Sequence, residues 1–344
     1  MASWLAEIVR SEGSRISFDR FMELALYHPI YGYYTRHIPA VGRSGDFSTA
    51  TTIGYALIRS VAAWVRAEAK LLDLPATQVI ELGGGEGQLA CGVLRTFRPW
   101  ERVRYQIVEI SRTLRQVQQR TLRGKGVRWA DSIEAALEAA KGRAIIISNE
   151  FVDAFPCKRF ERAANGWREI FLELNGDLWR EDYVENRAPA PSSALALQCT
   201  TGQRVEAFQS YRKWLMTLNR HLRQGALLTI DYGGTPTEIY DRKPLGTMRA
   251  YFRHQRFEGM GIYLRPGRQD LTADVNFVDI QEWSEQLGFE TVKYLKQADF
   301  MRQWDRLCST TQDTADQYTS NESGMGAAFK VLHQRKSVTW ASRP

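Results

Sequence analysis

The run Val79-Ile80-Glu81-Leu82-Gly83-Gly84-Gly85-Glu86-Gly87 carries apolar residues into an acid and then into closely spaced glycines. It reads as a buried strand, a tight turn and the start of a helix. Glycine is needed where the backbone takes a positive φ or approaches a ligand closely. A helix N-terminus offers N–H groups that have no partner within the helix. The spacing G-x-G-x-G runs through Gly83, Gly85 and Gly87. Gln88 stands where the dinucleotide fingerprint has its last glycine. Glu109 closes a second strand-like run, Tyr105-Gln106-Ile107-Val108. An acid there can accept hydrogen bonds from both ribose hydroxyls of a nucleoside. Asp131 and Ser132 follow a third run, Val127-Arg128-Trp129-Ala130, and the competing reading of Asp131 is a helix N-cap. Further on, Asn149, Glu150 and Asp153 leave an apolar strand together. A buried polar group without a partner costs about 1–3 kcal/mol. These residues should therefore face a ligand, water or a cap. If a helical turn starts here, Glu150 and Asp153 share a face by their i, i+3 spacing.

The elements that must position these residues follow from periodicity. Strands are expected at 78–82, 104–108, 127–130 and 144–148, with helices at 88–96, 112–122 and 133–140 between them. This alternation argues for a parallel α/β sheet with right-handed crossovers. Ahead of it, a helix running up to Pro29 and an aromatic turn, Ile30-Tyr31-Gly32-Tyr33-Tyr34, precede a second helix over 54–72. Two strand-like runs punctuated by Asn165-Gly166 and Asn175-Gly176-Asp177 predict a β insertion. The expected division is an N-terminal helical or lid segment at 1–75, a core at 76–157 and 204–344, and a β-hairpin insertion at 158–203. A helix over 204–222 leads to an apolar strand ending in Asp231-Tyr232-Gly233-Gly234. A long loop then reaches Gly267, and a further loop is expected over 309–323.

With 344 residues, 44% apolar and 25% charged, the composition is that of a globular chain. The net charge of +7 fits a solvated basic surface better than a nucleic-acid partner, which is not expected. Cys91, Cys157, Cys199 and Cys308 form no C-x-x-C pair. No metal site is therefore expected, and a reducing compartment is. The opening MASWLAEIVRSEG lacks the apolar core of a signal peptide, and no run of about 18 apolar residues is present, so no membrane span and a cytoplasmic location are expected.

The glycine spacing with Glu81 ahead of it resembles motif I of S-adenosylmethionine-dependent methyltransferases. Nearly the whole chain resembles the MidA-like methyltransferases, a family that includes an arginine methyltransferase assisting assembly of mitochondrial respiratory complex I. The most specific shared segments are Asn149-Glu150-Phe151-Val152-Asp153-Ala154 and Gln269-Asp270-Leu271-Thr272. Tyr27-His28-Pro29, Gly45-Asp46-Phe47 and Ile230-Asp231-Tyr232-Gly233 also match. Where the family usually has Pro-Glu after Ala50, this chain has Thr51-Thr52. The resemblance implies a class I methyltransferase fold, with a Rossmann-like sheet, that binds S-adenosyl-L-methionine. Glu81, Gly83, Gly85, Gly87, Glu109, Asp131, Ser132 and Asp46 would form the cofactor site, with Asp131 near the adenine. It further implies methyl transfer to a protein arginine, giving symmetric dimethylarginine, with a respiratory-complex subunit as one candidate substrate. Asn149, Glu150 and Asp153 would be the catalytic residues, the two carboxylates gripping the guanidinium. Arg249, Tyr251, His254, Gln269, Asp270 and Thr272 would wall the site, with His254 read as a lone surface histidine in preference to a base. Three alternatives remain at this point. They are a non-catalytic assembly factor that binds the same cofactor, a small-molecule methyltransferase, and an RNA methyltransferase using Pro156-Cys157 as nucleophile.

Overall fold

A computed structural model describes residues 3–37, 54–74, 76–176, 178–185, 191–305, 307, 316 and 325–337. The N-terminal part comprises α1 (Ser3–Ser11), β1 (Arg15–Ser17), α2 (Phe18–Tyr27), a π-helical turn at Tyr33–His37 and α3 (Tyr55–Leu71). The alternation follows as β2 (Thr77–Leu82), α4 (Gln88–Thr96), β3 (Val103–Val108), α5 (Arg112–Thr121), β4 (Arg128–Ala130), α6 (Ile133–Ala139) and β5 (Arg143–Asn149). A 3-10 turn at Val152–Ala154 leads into β6 (Lys158–Ala163), β7 (Gly166–Asn175), β8 (Leu178–Glu185) and β9 (Arg204–Ala207). Next come α7 (Gln209–His221), β10 (Gln224–Gly234), α8 (Pro236–Tyr240), β11 (Arg249–Phe252), β12 (Gln255–Phe257) and β13 (Asp270–Thr272). The remaining elements are β14 (Val275–Asn276), α9 (Phe277–Gln286), β15 (Glu290–Lys296), α10 (Gln297–Trp304), α11 (Met325–Ala328) and β16 (Phe329–Lys336).

The main sheet has the order β15-β16-β10-β5-β2-β3-β4. Its strands β4, β3, β2, β5 and β10 are parallel, and β16 runs antiparallel to both of its neighbours. Period-2 alternation divides the buried side chains between two cores. Ile80, Leu82, Ile146 and Leu227 pack on one face, while Val79, Ile145, Ile147 and Leu228 pack on the other against α3 and α4. Both faces are covered, as a parallel sheet requires. This is the Rossmann-like α/β fold that the alternation predicts. Among the described residues no helix is long and apolar enough to cross a membrane.

The insertion is a real sheet, but its membership is wider than the sequence suggests. β7 pairs along its length with β8, and on its other edge with β6 and β1, while β9 pairs with β6. The segment at 204–207, expected to begin a helix, is therefore a strand, and the helix starts only at Gln209. Val205 pairs opposite Phe160 and packs into a small core with Trp167 and Tyr240, so a distant partner overrides the local helical pattern. The expected loop between 234 and 267 holds the β11–β12 hairpin, which pairs onward with β13. Its turn residues Arg253 and His254 both take positive φ (49° and 63°). That geometry normally calls for Asn-Gly, so the usual sequence signal is missing. Of the loop expected over 309–323, all but Asp316 lies outside the described residues.

Candidate active site at the carboxyl ends of the strands

β2 lies between β5 and β3 and delivers the glycine turn at the carboxyl edge, where open α/β sheets bind ligands. Gly83 (φ 65°) donates its N–H to the Val108 carbonyl at 3.1 Å, and a Cβ placed on it would stand 2.7 Å from the Phe151 ring. Two strand-end loops thus approach each other there. Gly85 (φ 51°) is different, because a Cβ on it would meet nothing within 4 Å. Its backbone faces open space. Gly87 (φ 84°) is the N-cap of α4 and offers no side chain to the first helical N–H groups. An open glycine cradle against an uncapped helix start fits a nucleoside cofactor.

Glu109 closes this cradle on the β3 side. It is 6% exposed. One carboxylate oxygen accepts from the Ser111 N–H at 2.8 Å and the other from Gln118 Nε2 at 3.0 Å. Burial raises its pKa, opposed by these hydrogen bonds. The Gln118 amide, fully buried on α5, also donates from Nε2 to the Gly85 carbonyl at 2.8 Å and accepts from Trp129 Nε1 at 2.8 Å. It ties the expected ribose acid to the glycine turn. Sequence reasoning missed it, although Leu114, Gln118 and Leu122 form one buried stripe, where a polar residue is out of place.

The other expected cofactor residues differ in setting. Glu81 is 3% exposed and accepts from the Tyr105 hydroxyl at 2.9 Å. Burial pushes its pKa up to about 7, with Glu109 adding to the rise. Asp131 extends into solvent and pairs with Arg115 at 2.7 Å. Ser132, rather than Asp131, is the N-cap of α6, with its hydroxyl accepting from the Ala135 N–H at 3.2 Å. Asp46 and Phe47 lie outside the described residues, as do Thr51 and Thr52.

A second group of acids gathers where β5 and β10 end. Asn149 and Glu150 are half-buried, and Glu150 takes a left-handed φ of 49°. The 3-10 turn begins only at Val152, so Glu150 and Asp153 do not share a helical face. Asp153 instead points inward, is 7% exposed, and accepts from Thr272 Oγ1 at 2.5 Å and from the Tyr232 hydroxyl. Burial raises its pKa, while Thr272, Tyr232 and Arg249 oppose the rise. Asp231, fully buried, holds the turn from below. Its Oδ2 accepts from the N–H groups of Phe151, Val152 and Asp153 at 3.1, 3.1 and 3.3 Å. Asp270 accepts from the Tyr34 hydroxyl at 2.8 Å, and burial together with Asp153 pushes its pKa up to about 7. Tyr27 donates to the Ala154 carbonyl at 2.8 Å, so the N-terminal segment seals this side. The Arg249 guanidinium lies 4.6 Å over the Tyr232 ring but is engaged by Asp274 at 2.8 Å.

Two side readings for this region are decided. His254 sits on the exposed tip of the β11–β12 hairpin, the surface histidine that the sequence favours over a base. Cys157 is fully buried in the main core, and burial keeps its thiol protonated. A nucleophilic cysteine needs a thiolate and an approach path, and Cys157 has neither.

Residues 60–295 match the family described as "Putative S-adenosyl-L-methionine-dependent methyltransferase". The chain is 29% identical over 296 residues to the mitochondrial protein arginine methyltransferase NDUFAF7 of Danio rerio, a match covering 76% of this chain and 67% of that protein. The Homo sapiens protein of the same name is 26% identical over 303 residues, covering 78% of this chain and 65% of that protein. The chain thus spans about two thirds of the length of these curated relatives. A crystal structure of a Burkholderia thailandensis protein bound to S-adenosyl-homocysteine aligns with a TM-score of 0.85 at 27% identity, covering 99% of this chain and 92% of that one. With more than half of its residues matched by the family model and its fold shared almost end to end, the chain belongs to this family of S-adenosyl-L-methionine-dependent methyltransferases.

Proposed function

We propose that this methyltransferase acts on the guanidinium of a protein arginine. The observation that carries the reading is the gathering of Glu150, Asp153, Asp231 and Asp270 at the strand ends beside the glycine cradle, with the nearby Arg249 already engaged by Asp274. Such a site favours a cationic acceptor. The names of the relatives support the same class of substrate.

The cofactor supplies an electrophilic methyl group on a sulfonium. The chain supplies position and a proton acceptor. Arginine stays protonated in water at any physiological pH, and its nitrogen lone pairs are delocalised. A carboxylate that grips one edge of the guanidinium localises its charge and aims a nitrogen. Methylated arginine keeps a single positive charge, so one proton leaves as the N–C bond forms. Glu150, at the open end of β5, is assigned both roles, with Asn149 beside it. Asp153, enclosed by Tyr232 and Thr272, is assigned the positioning of the loop. Glu81, Gly83, Gly85, Gly87 and Glu109 hold the cofactor, with Asp131 and Ser132 at its adenine end. A cytoplasmic, reducing setting goes with this reading, supported by free thiols at Cys91, Cys157 and Cys199. A respiratory-complex subunit as substrate and symmetric dimethylation as product are proposed on family resemblance.

Incubation with methyl-labelled cofactor and cell lysate tests the proposal. Label recovered as dimethylarginine after acid hydrolysis is the expected result. Label confined to small molecules would replace the acceptor class. Cofactor binding without transfer would favour a non-catalytic assembly factor.

A further inference from the structure

Between Arg95 and Arg128 the sequence holds ten Arg or Lys residues against two Glu, an excess of eight, while the whole chain carries only +7. The remaining residues are therefore net −1. The fold concentrates this excess. Strands β2, β3 and β4 are parallel, so their first residues lie along one edge of the sheet, and the helices α4 and α5 end at the same edge. Arg95 lies in the last turn of α4, Arg102 and Arg104 flank the first residue of β3, Arg120 lies in the last turn of α5 with Arg123 in the turn after it, and Arg128 opens β4. All six are exposed, and none forms an ion pair with a described residue. The helix dipole accounts for cations in the last turn, which covers Arg95 and Arg120 but not the others. The local acid Glu101 is engaged by Arg66 at 3.0 Å. In the middle of this edge, the turn Pro99-Trp100 projects an indole that is 70% exposed, with the Arg98 guanidinium 5.3 Å from its ring.

We propose that this edge docks the enzyme on an anionic lipid surface. Arginine binds phosphate through paired N–H groups. An exposed tryptophan among cations suits the headgroup layer, with its apolar ring buried and its N–H wet. The edge lies at the amino ends of the strands, about 20 Å from the glycine cradle along six residues of β3. A polynucleotide bound there would not reach the reaction site as substrate. A lipid surface bound there leaves the carboxyl ends facing the aqueous phase.

Co-sedimentation of the full chain with vesicles tests the proposal. Vesicles containing phosphatidylglycerol should bind it, pure phosphatidylcholine vesicles should not, and high salt should release it. Each charge near such a surface is worth about a factor of five, so a triple R98A/R102A/R123A variant should bind about 100-fold more weakly. Its affinity for S-adenosyl-homocysteine, measured by calorimetry, should be unchanged. Vesicles with brominated acyl chains should quench tryptophan fluorescence in the parent chain and less so in Trp100→Ala, a readout independent of the triple variant. Equal binding to both vesicle types overturns the proposal, as does binding that survives the triple substitution. RNA binding that the triple substitution abolishes, without vesicle binding, overturns it in favour of a nucleic-acid partner.

Discussion

Glu150 and Asp153 illustrate how much depends on a single backbone conformation. A left-handed φ at Glu150 turns the chain so that Glu150 stays half-buried at the strand end while Asp153 points inward to Tyr232 and Thr272. Positive φ at a residue with a Cβ costs energy, about 1–2 kcal/mol, and is held here by the Asp231 carboxylate beneath the turn. Glu150→Gln should therefore keep the fold and the affinity for S-adenosyl-homocysteine while slowing arginine methylation by roughly 10²–10⁴-fold. Single-turnover kinetics with calorimetry would check this, and an unchanged rate would remove Glu150 from the chemistry. Glu81 makes a prediction about pH. Its carboxyl ionises near 4.5 when unfolded and near about 7 when buried, so the native state holds the proton more tightly. Its contribution to stability is present in full below pH 4.5 and is lost as pH rises through about 7. Glu81→Gln, which carries no charge to bury, should thus melt progressively higher than the parent chain as pH rises across that window. A difference in melting temperature that stays flat with pH would show that the carboxylate is not desolvated.

The helix α5 links distant parts of the proposed cofactor site. Its Gln118 spends the whole amide on three partners, the Gly85 carbonyl, Glu109 and the Trp129 indole. Hydrogen bonds to charged groups are worth about 1.5–3 kcal/mol, so Gln118→Leu should weaken S-adenosyl-homocysteine binding by roughly 10–100-fold. The rate at saturating cofactor should change little. The Trp129 indole N–H resonance offers a second readout, since it should shift on cofactor binding in the parent chain and respond less in the variant. Strand elements show where local signals fail. The insertion hairpins were legible because Asn165-Gly166 and Asn175-Gly176 mark their turns. β1 was not, because three residues are too few to show a period and its pairing partner Leu172 is far along the chain from Ile16. The β11–β12 hairpin was hidden by a turn built from Arg253 and His254 without glycine.

Across the whole molecule, the N-terminal segment, the insertion and the core are interlocked. β1 completes the insertion sheet, and α2 supplies Phe18 and Phe21 to a cluster with Trp179 and Tyr263. Arg159, 1% exposed, lies on the insertion sheet and reaches the Tyr263 hydroxyl at 3.0 Å, the Leu245 carbonyl at 3.1 Å and Glu206 at 3.5 Å. Removing one partner of a buried ion pair leaves an uncompensated charge and costs about 3–5 kcal/mol. Arg159→Met should therefore lower the melting temperature of the entire chain in one transition, and the double variant R159M/E206Q should recover part of the loss. Two separate transitions in calorimetry would show that insertion and core fold independently. The sequence by itself determined the succession of strands and helices in the parallel part of the sheet, the glycine turn and the acids at its strand ends, because period, turn chemistry and strand termini are written within a few residues. Tertiary structure alone decided that Asp153 turns inward to Tyr232 and Thr272, away from Glu150, and that Gln118 joins Glu109 to the glycine turn. It also gathered the unpaired arginines on one edge. Asp231 meets Val152 from 79 residues away, and Tyr34 meets Asp270 from 236. Such contacts depend on which strands become neighbours, and no local pattern specifies that.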